Sequence, residues 1–216
     1  SNVTIYDFKN ENNKTYKKNS KFFNIDLDLW SPKNNQFDLI ISNFYLNISD
    51  NIEKVLKKIL KSLSPNGFFI ATMPSPENFN ILKTTMIKTD IELYGGAYNR
   101  FNKTTNLEIL IDILKNNNFK IPLVDSEKIY LEYKDFNSLL NDVRSMNLSY
   151  YQKDKKSTFE KKTYFKNLEK NYYIKNNNIF RLNSSFYIIS GWKEHFSQQK
   201  PIKPGEAKNK LKDYLS

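Results

Sequence analysis

The chain has 216 residues, enough for one sizeable core, and its 39% hydrophobic and 15% aromatic content argues for a folded protein and against a disordered one. There is no cysteine and one histidine, His195, which excludes disulfides, thiolate metal sites and, within this chain, a histidine-rich zinc site or a two-histidine iron centre. A net charge of +11 leaves nucleic acid, an acidic carrier protein or an anionic surface open as partners, but lysine and asparagine are spread along the whole chain, which favours composition bias over a nucleic-acid surface.

Val3 to Phe8 reads as a short strand carrying Asp7 at its tip, and Lys21 to Leu27 as another ending around Asp26 and Asp28. Phe37 to Phe44 is an apolar run with almost no alternation, the pattern of a parallel strand covered on both faces. Asp50 and Glu53 then place acids at a helix cap and in its first turn, where free amides and the positive dipole end favour them. Ile52, Val55, Leu56, Ile59, Leu60 and Leu63 recur at helical spacing, with Lys54, Lys57, Lys58 and Lys61 on the other face. Ser64-Pro65-Asn66-Gly67 stops that helix, and Gly67 to Met73 is a second continuous apolar run. Strand, helix and strand in this order predict a right-handed parallel crossover.

Downstream, Leu107, Leu110, Ile111 and Leu114 mark a helix, and Lys120 to Tyr133 an extended pair of runs divided near Asp125. Phe136 to Met146 and Phe159 to Tyr173 are predicted helices, and Ser185 to Trp192 a closing strand rich in aromatic and β-branched residues. Insertions at 74–104, which contains Gly95-Gly96, and at 134–180 each follow a strand. If those strands are parallel, both insertions rise from the ligand edge of the sheet and select the substrate. One domain spanning 1–216 is the simplest organisation. No run near twenty apolar residues and no charged-then-apolar leader is present, so no membrane span is expected and a cytoplasmic place is the expectation.

Acid-tipped strands, then FDLIIS, a helix ending LSPNG, and GFFIATM together resemble the second to fifth strands of the class I S-adenosylmethionine-dependent methyltransferases. ELYGGAYNRF at 92–101, NDVRSMN at 141–147 and GWKEHFSQQKP at 191–201 are similar to a narrower group, the alphaproteobacterial and mitochondrial methyltransferase-like proteins that include a complex I assembly factor. The biotin-synthesis methyltransferase acting on a malonyl carrier protein is a more distant relative. This resemblance implies a Rossmann-like α/β sheet, S-adenosylmethionine as cofactor and a protein or carrier-bound substrate, with hydroxylation of a protein arginine allowed beside methyl transfer. Position by position, it implies Asp7 at the ribose hydroxyls, Asp26 and the Leu27 backbone at the adenine, and Asn43 and Phe44 at the methionine end. It assigns no catalytic residue, because methyl transfer can be driven by positioning alone. Asn47 stands where relatives usually carry a histidine.

In that family a first strand and a glycine-rich turn lie between the second and fourth strands, because only glycine lets backbone amides approach the cofactor so closely. Here no glycine precedes Gly67, so the expectation is a sheet lacking its first strand and glycine turn. Two further readings accompany the enzyme: a non-catalytic assembly protein on the same fold, and an RNA-binding or RNA-modifying protein. His195 is expected at the end of the sheet opposite the cofactor, in a structural or interface role.

Overall fold

The computed structural model describes residues 3–7, 20–24, 26–146, 160–175 and 179–198. Its elements in chain order are β1 (Val3–Asp7), β2 (Ser20–Asn24), β3 (Phe37–Asn43), α1 (Ile52–Ser62), β4 (Leu63–Pro74), α2 (Asn80–Tyr94), α3 (Leu107–Asn116), β5 (Lys120–Tyr133), α4 (Phe136–Ser145), α5 (Lys162–Lys175) and β6 (Phe180–Trp192). A 3₁₀ turn at Leu46–Ile48 links β3 to α1.

β1 and β2 pair in parallel, with Asp7 opposite Asn24 at their carboxyl ends. The other four strands form one sheet in the order β3-β4-β6-β5. β3 and β4 are parallel, and β6 runs antiparallel to both β4 and β5, so β3, β4 and β5 point the same way. The chain therefore leaves β4 and β5 for its two insertions from the same edge of the sheet.

Two cores result. The first lies where α1 and α3 cover the sheet, and includes Val55, Leu56, Ile59, Leu63, Phe69, Leu110, Leu114, Phe119 and Ile189. The second is built by the insertions, with Phe79 and Leu82 near the start of α2, Phe136, Leu139, Leu140 and Val143 of α4, Tyr164, Leu168 and Tyr172 of α5, and Leu182 of β6. The insertions are thus a packed layer with their own apolar interior.

Several sequence expectations need correction. α1 is capped by Asn51, whose side chain accepts from the Lys54 amide at 2.9 Å, and not by Asp50, whose own amide is directed at the Asp28 carboxylate. Replacing Asn51 with alanine is expected to cost about 1 kcal/mol, read as a lowered urea midpoint, whereas Asp50→Ala should lose less. Leu63 ends α1 instead of belonging to it, and β4 starts there and runs through Ser64–Gly67. Pairing shifts from Phe37 opposite Leu63 to Leu39 opposite Phe68, and Asn66 takes a left-handed φ of 62°, so the irregularity sits inside the strand.

β5 is one continuous strand with no division at Asp125, since that carboxylate turns onto the adjacent Ser126 amide and leaves the ladder intact. β6 begins at Phe180, five residues before Ser185, because it pairs with the whole length of β5. β2 stops at Asn24, and Asp26 to Leu29 form a turn beyond it. β3 was expected to be covered on both faces, yet Leu39 and Ile41 are 52% and 69% exposed. The strand bonds only to β4 in its sheet, and that face lies open among the described residues. Helix α5 starts at Lys162, and Phe8, residues 147–159 and residues 199–201 of the tail motif lie outside the described residues.

Candidate functional site

The carboxyl edge of β3 and β4 is built by short polar contacts. At the end of β3 the backbone turns at Phe44 with φ 48°, a left-handed conformation that costs a bulky residue roughly 1–2 kcal/mol. Its amide donates to the Thr72 carbonyl at 3.0 Å and to Thr72 Oγ1 at 3.2 Å, while Thr72 Oγ1 donates to Asn43 Oδ1 at 2.6 Å. The Phe44 ring meets Phe186 edge-on. Asn43 and Phe44 are therefore fixed to the tip of β4.

The Asp26–Leu29 turn docks beside this edge. Ser49 Oγ donates to Asp28 Oδ1 at 2.6 Å, and Lys58 of α1 donates to the Asp28 carbonyl at 2.7 Å. Leu27 is buried in the first core, whereas Asp26 is exposed and accepts from the Asp28 amide at 2.9 Å. Asp26 thus makes the local turn that its residue type favours, and one of its carboxylate oxygens is used in doing so. Asp7 is the last residue of β1, at the carboxyl end of the β1–β2 pair.

Asn47 lies on the 3₁₀ turn that follows Phe44. It is only 6% exposed, yet among the described residues neither its Oδ1 nor its Nδ2 has a hydrogen-bond partner, and Ser42 Oγ on β3 likewise has none there. Unpaired buried polar atoms cost about 1–3 kcal/mol each, so this edge holds polar capacity that the described residues do not use.

The first insertion is anchored to the sheet. Ser75 Oγ donates to Ser185 Oγ at 2.9 Å, the Ser185 amide donates to Asn78 Oδ1 at 3.0 Å, and the Phe79 amide donates to the Asn183 carbonyl at 3.0 Å. Phe79, like Phe44, adopts a positive φ, here 55°.

The two insertions are then locked together by charges that sequence reasoning did not single out. Asp90 of α2 is fully buried, and Arg100 reaches both of its oxygens, with Nε at 3.0 Å from Oδ2 and Nη2 on Oδ1. The same Nη2 donates to Glu160 Oε1 at 2.8 Å, and the Tyr94 hydroxyl donates to Glu160 Oε2 at 2.5 Å. The guanidinium lies 4.5 Å from the centroid of the Tyr164 ring, which is stacked with Tyr94. Burial works against the charge on Arg100, but the bonds to Asp90 and Glu160 outweigh it and hold the guanidinium protonated beyond its usual range. Burial also pushes the Tyr164 hydroxyl well above the ordinary tyrosine range. Tyr94, Tyr98 and Arg100 all belong to the ELYGGAYNRF segment, so that motif builds an internal brace. Gly95 serves it as the left-handed residue, φ 72°, that ends α2.

At the other end of the sheet, Lys193 Nζ donates to the Leu63 carbonyl at 2.6 Å and to Asn35 Oδ1 at 2.8 Å, clamping the end of α1. Burial lowers its affinity for the proton. His195 lies beyond Trp192, which pairs with Phe68 at the end of the β4–β6 ladder far from Pro74, and its Nδ1 is 2.7 Å from Ser197 Oγ. It sits away from the carboxyl edge that carries Asn43 and Phe44.

A parallel run of strands closed by an antiparallel last strand, with loops and insertions gathered at the carboxyl edge, defines a Rossmann-like α/β fold of the methyltransferase type. A methyltransferase from Bacillus halodurans superimposes with TM-score 0.54 at 12% identity, covering 90% of this chain and 84% of its own. The YcgJ protein of Bacillus subtilis gives 0.52 at 9% identity, covering 82% and 73%. Residues 1–126 match the methyltransferase domain family, more than half of the chain, and the protein belongs to that family.

Among its relatives, a protein of Dictyostelium discoideum named arginine-hydroxylase NDUFAF5, mitochondrial, is 31% identical over 177 residues, which is 79% of this chain and 40% of the relative. The proteins of that name from Danio rerio and Homo sapiens are each 25% identical, over 81% of this chain and 55% and 51% of their own lengths. The chain thus spans about half the length of the curated relatives it matches. Among the described residues, no helix is long and apolar enough to cross a membrane.

Proposed function

We propose that the intact protein binds S-adenosylmethionine at the carboxyl edge of its strands and modifies a protein substrate, in the manner of the arginine-hydroxylase relatives and, as the resemblance implies, in the assembly of respiratory complex I. The strand order β3-β4-β6-β5 with its antiparallel last strand carries this reading, since it is the arrangement that gathers Asn43, Phe44 and the insertions at one edge.

The residues present fit the cofactor. Both amide atoms of Asn47 and the Ser42 hydroxyl are buried at that edge without partners among the described residues, and Asp26 is an exposed carboxylate at the tip beyond β2 that accepts from the Asp28 amide. In this reading Asp7 meets the ribose hydroxyls, Asp26 and the Leu27 backbone the adenine, and Asn43 and Phe44 flank the methionine end. The bound group supplies an electrophilic sulfonium methyl. The strained turn at Phe44 holds that end in register with β4, and the insertion layer excludes water above it. Among the described residues the edge of β3 away from β4 is open, and in this reading a strand with a glycine turn added there would complete the sheet and the cofactor site.

The relatives' name, arginine-hydroxylase, favours one second reading, oxygen insertion into an arginine side chain, over methyl transfer. A two-histidine iron centre for it requires a histidine from outside this chain, since His195 is the single one. The cytosol is the compartment expected from the sequence, while the relatives carry the word mitochondrial; fractionation of the tagged natural protein decides between them.

Calorimetry with S-adenosylmethionine on the natural full-length product tests the central reading. Binding is expected, and Asp26→Ala is expected to weaken it about tenfold or more, the worth of a charged hydrogen bond. No binding at millimolar cofactor favours the non-catalytic assembly protein, and an unchanged affinity in Asp26→Ala moves the adenine elsewhere.

A further inference from the structure

Between α2 and the segment that follows it lies a cleft of about 220 Å³, lined by Lys83, Met86, Ile87 and residues 98–104. Its charge is one-sided. The lining includes Lys83, Arg100 and Lys103 and contains no aspartate or glutamate. Arg100 is already neutralised by Asp90 and Glu160, and Lys103 is exposed to solvent.

Lys83 differs from both. It is half-buried, its ammonium lies 5.5 Å from the centroid of the Phe101 ring, and it forms no ion pair with any described residue. A cation over an aromatic face gains modestly, but one withdrawn from water without a counter-charge is left partly uncompensated. Burial accordingly lowers its hold on the proton. Asn99, Asn102 and Thr104 supply polar groups around the same space.

We propose that this cleft is an oxyanion-binding subsite in which Lys83 is the charge partner of a carboxylate or phosphate group presented by the ligand. The subsite lies within the first insertion, on the layer covering the carboxyl edge. It requires no bound cofactor, so it stands apart from the modifying activity. A carboxylate would come from an acidic side chain of a protein, and a phosphate from a free or esterified phosphoryl group.

The test is an NMR titration of the full chain with three probes: a short glutamate peptide with blocked ends, its glutamine counterpart, and inorganic phosphate. The expected result is about millimolar binding of an oxyanion probe, with shifts confined to Lys83 and residues 98–104. Saturation by the glutamate peptide alone identifies a protein carboxylate, and saturation by phosphate alone a phosphoryl group. Lys83→Met is expected to weaken binding about tenfold or more, as loss of a charge-assisted bond does, while Lys83→Arg and the surface control Lys57→Met retain it. The proposal is overturned if neither oxyanion binds, if the glutamine peptide binds as well as the glutamate one, or if shifts spread over the basic surface. The probe comparison uses the unaltered protein and so holds even if Lys83→Met fails to fold.

Discussion

Arg100→Met is expected to lower stability by about 3–5 kcal/mol, because it strands a fully buried carboxylate. Asp90 has no solvent exposure, and its oxygens are held by Arg100 together with the Tyr98 amide at 3.2 Å. With the guanidinium gone, the Tyr98 amide is what remains against the charge among the described residues. Arg100→Lys should recover only part of the loss, since one ammonium cannot bridge both Asp90 and Glu160 as the planar fork does. Paired with Asp90→Leu, the Arg100→Met change should cost less than the two single changes summed, because the fully buried Asp90 carboxylate is no longer stranded, while the part that remains reports the loss of Arg100 from Glu160. Urea unfolding of the four proteins measures this directly. A loss below about 1 kcal/mol in Arg100→Met would place the ion pair among weak surface bridges, and the brace between the insertions would have to be apolar.

The brace was hidden from sequence reasoning for a physical reason. Asp90, Arg100 and Glu160 are charged residues in a lysine-rich chain, and their burial arises only when α2, the 98–101 segment and the approach to α5 converge. Helix α2 was hidden for a related one. Its buried positions include Thr85, Thr89 and Asp90, while Ile87 and Ile91 face solvent, so the periodic apolar stripe that marks α1 is absent. By contrast β3, α1 and β4 were legible because their signals are local: two apolar runs, a helical stripe and a turn. Even there a run of apolar residues told that β3 is a strand but not how many neighbours it has. Leu39 and Ile41 stand exposed where two-sided cover was expected. The carboxyl edge was readable as a place, through the tips of the strands. The Asn47 amide, buried without a partner among the described residues, was not, since hydrogen-bond satisfaction depends on everything packed around it.

The second large effect concerns the insertion layer. Phe136→Ala is expected to cost about 3–5 kcal/mol, the range for deleting a buried aromatic ring. Phe136 sits in the second core, with ring centroids 5.4 Å from Tyr172 and 5.9 Å from Phe180, so the cavity would open between α4, α5 and the start of β6. Phe136→Leu keeps most of the volume and should lose under about half as much. The distribution of the loss carries more meaning than its size. Amides of α4, α5 and α2 should exchange faster with deuterium, while those of β3 and β4, packed on the first core, keep their protection. If β3 and β4 loosen equally, the two cores unfold as one unit, and the covering layer cannot open over the carboxyl edge without melting the sheet beneath it. If the loss stays in the insertions, the layer is an independently stable cover, and access to the carboxyl edge at Asn43 and Phe44 is governed by packing around Phe136.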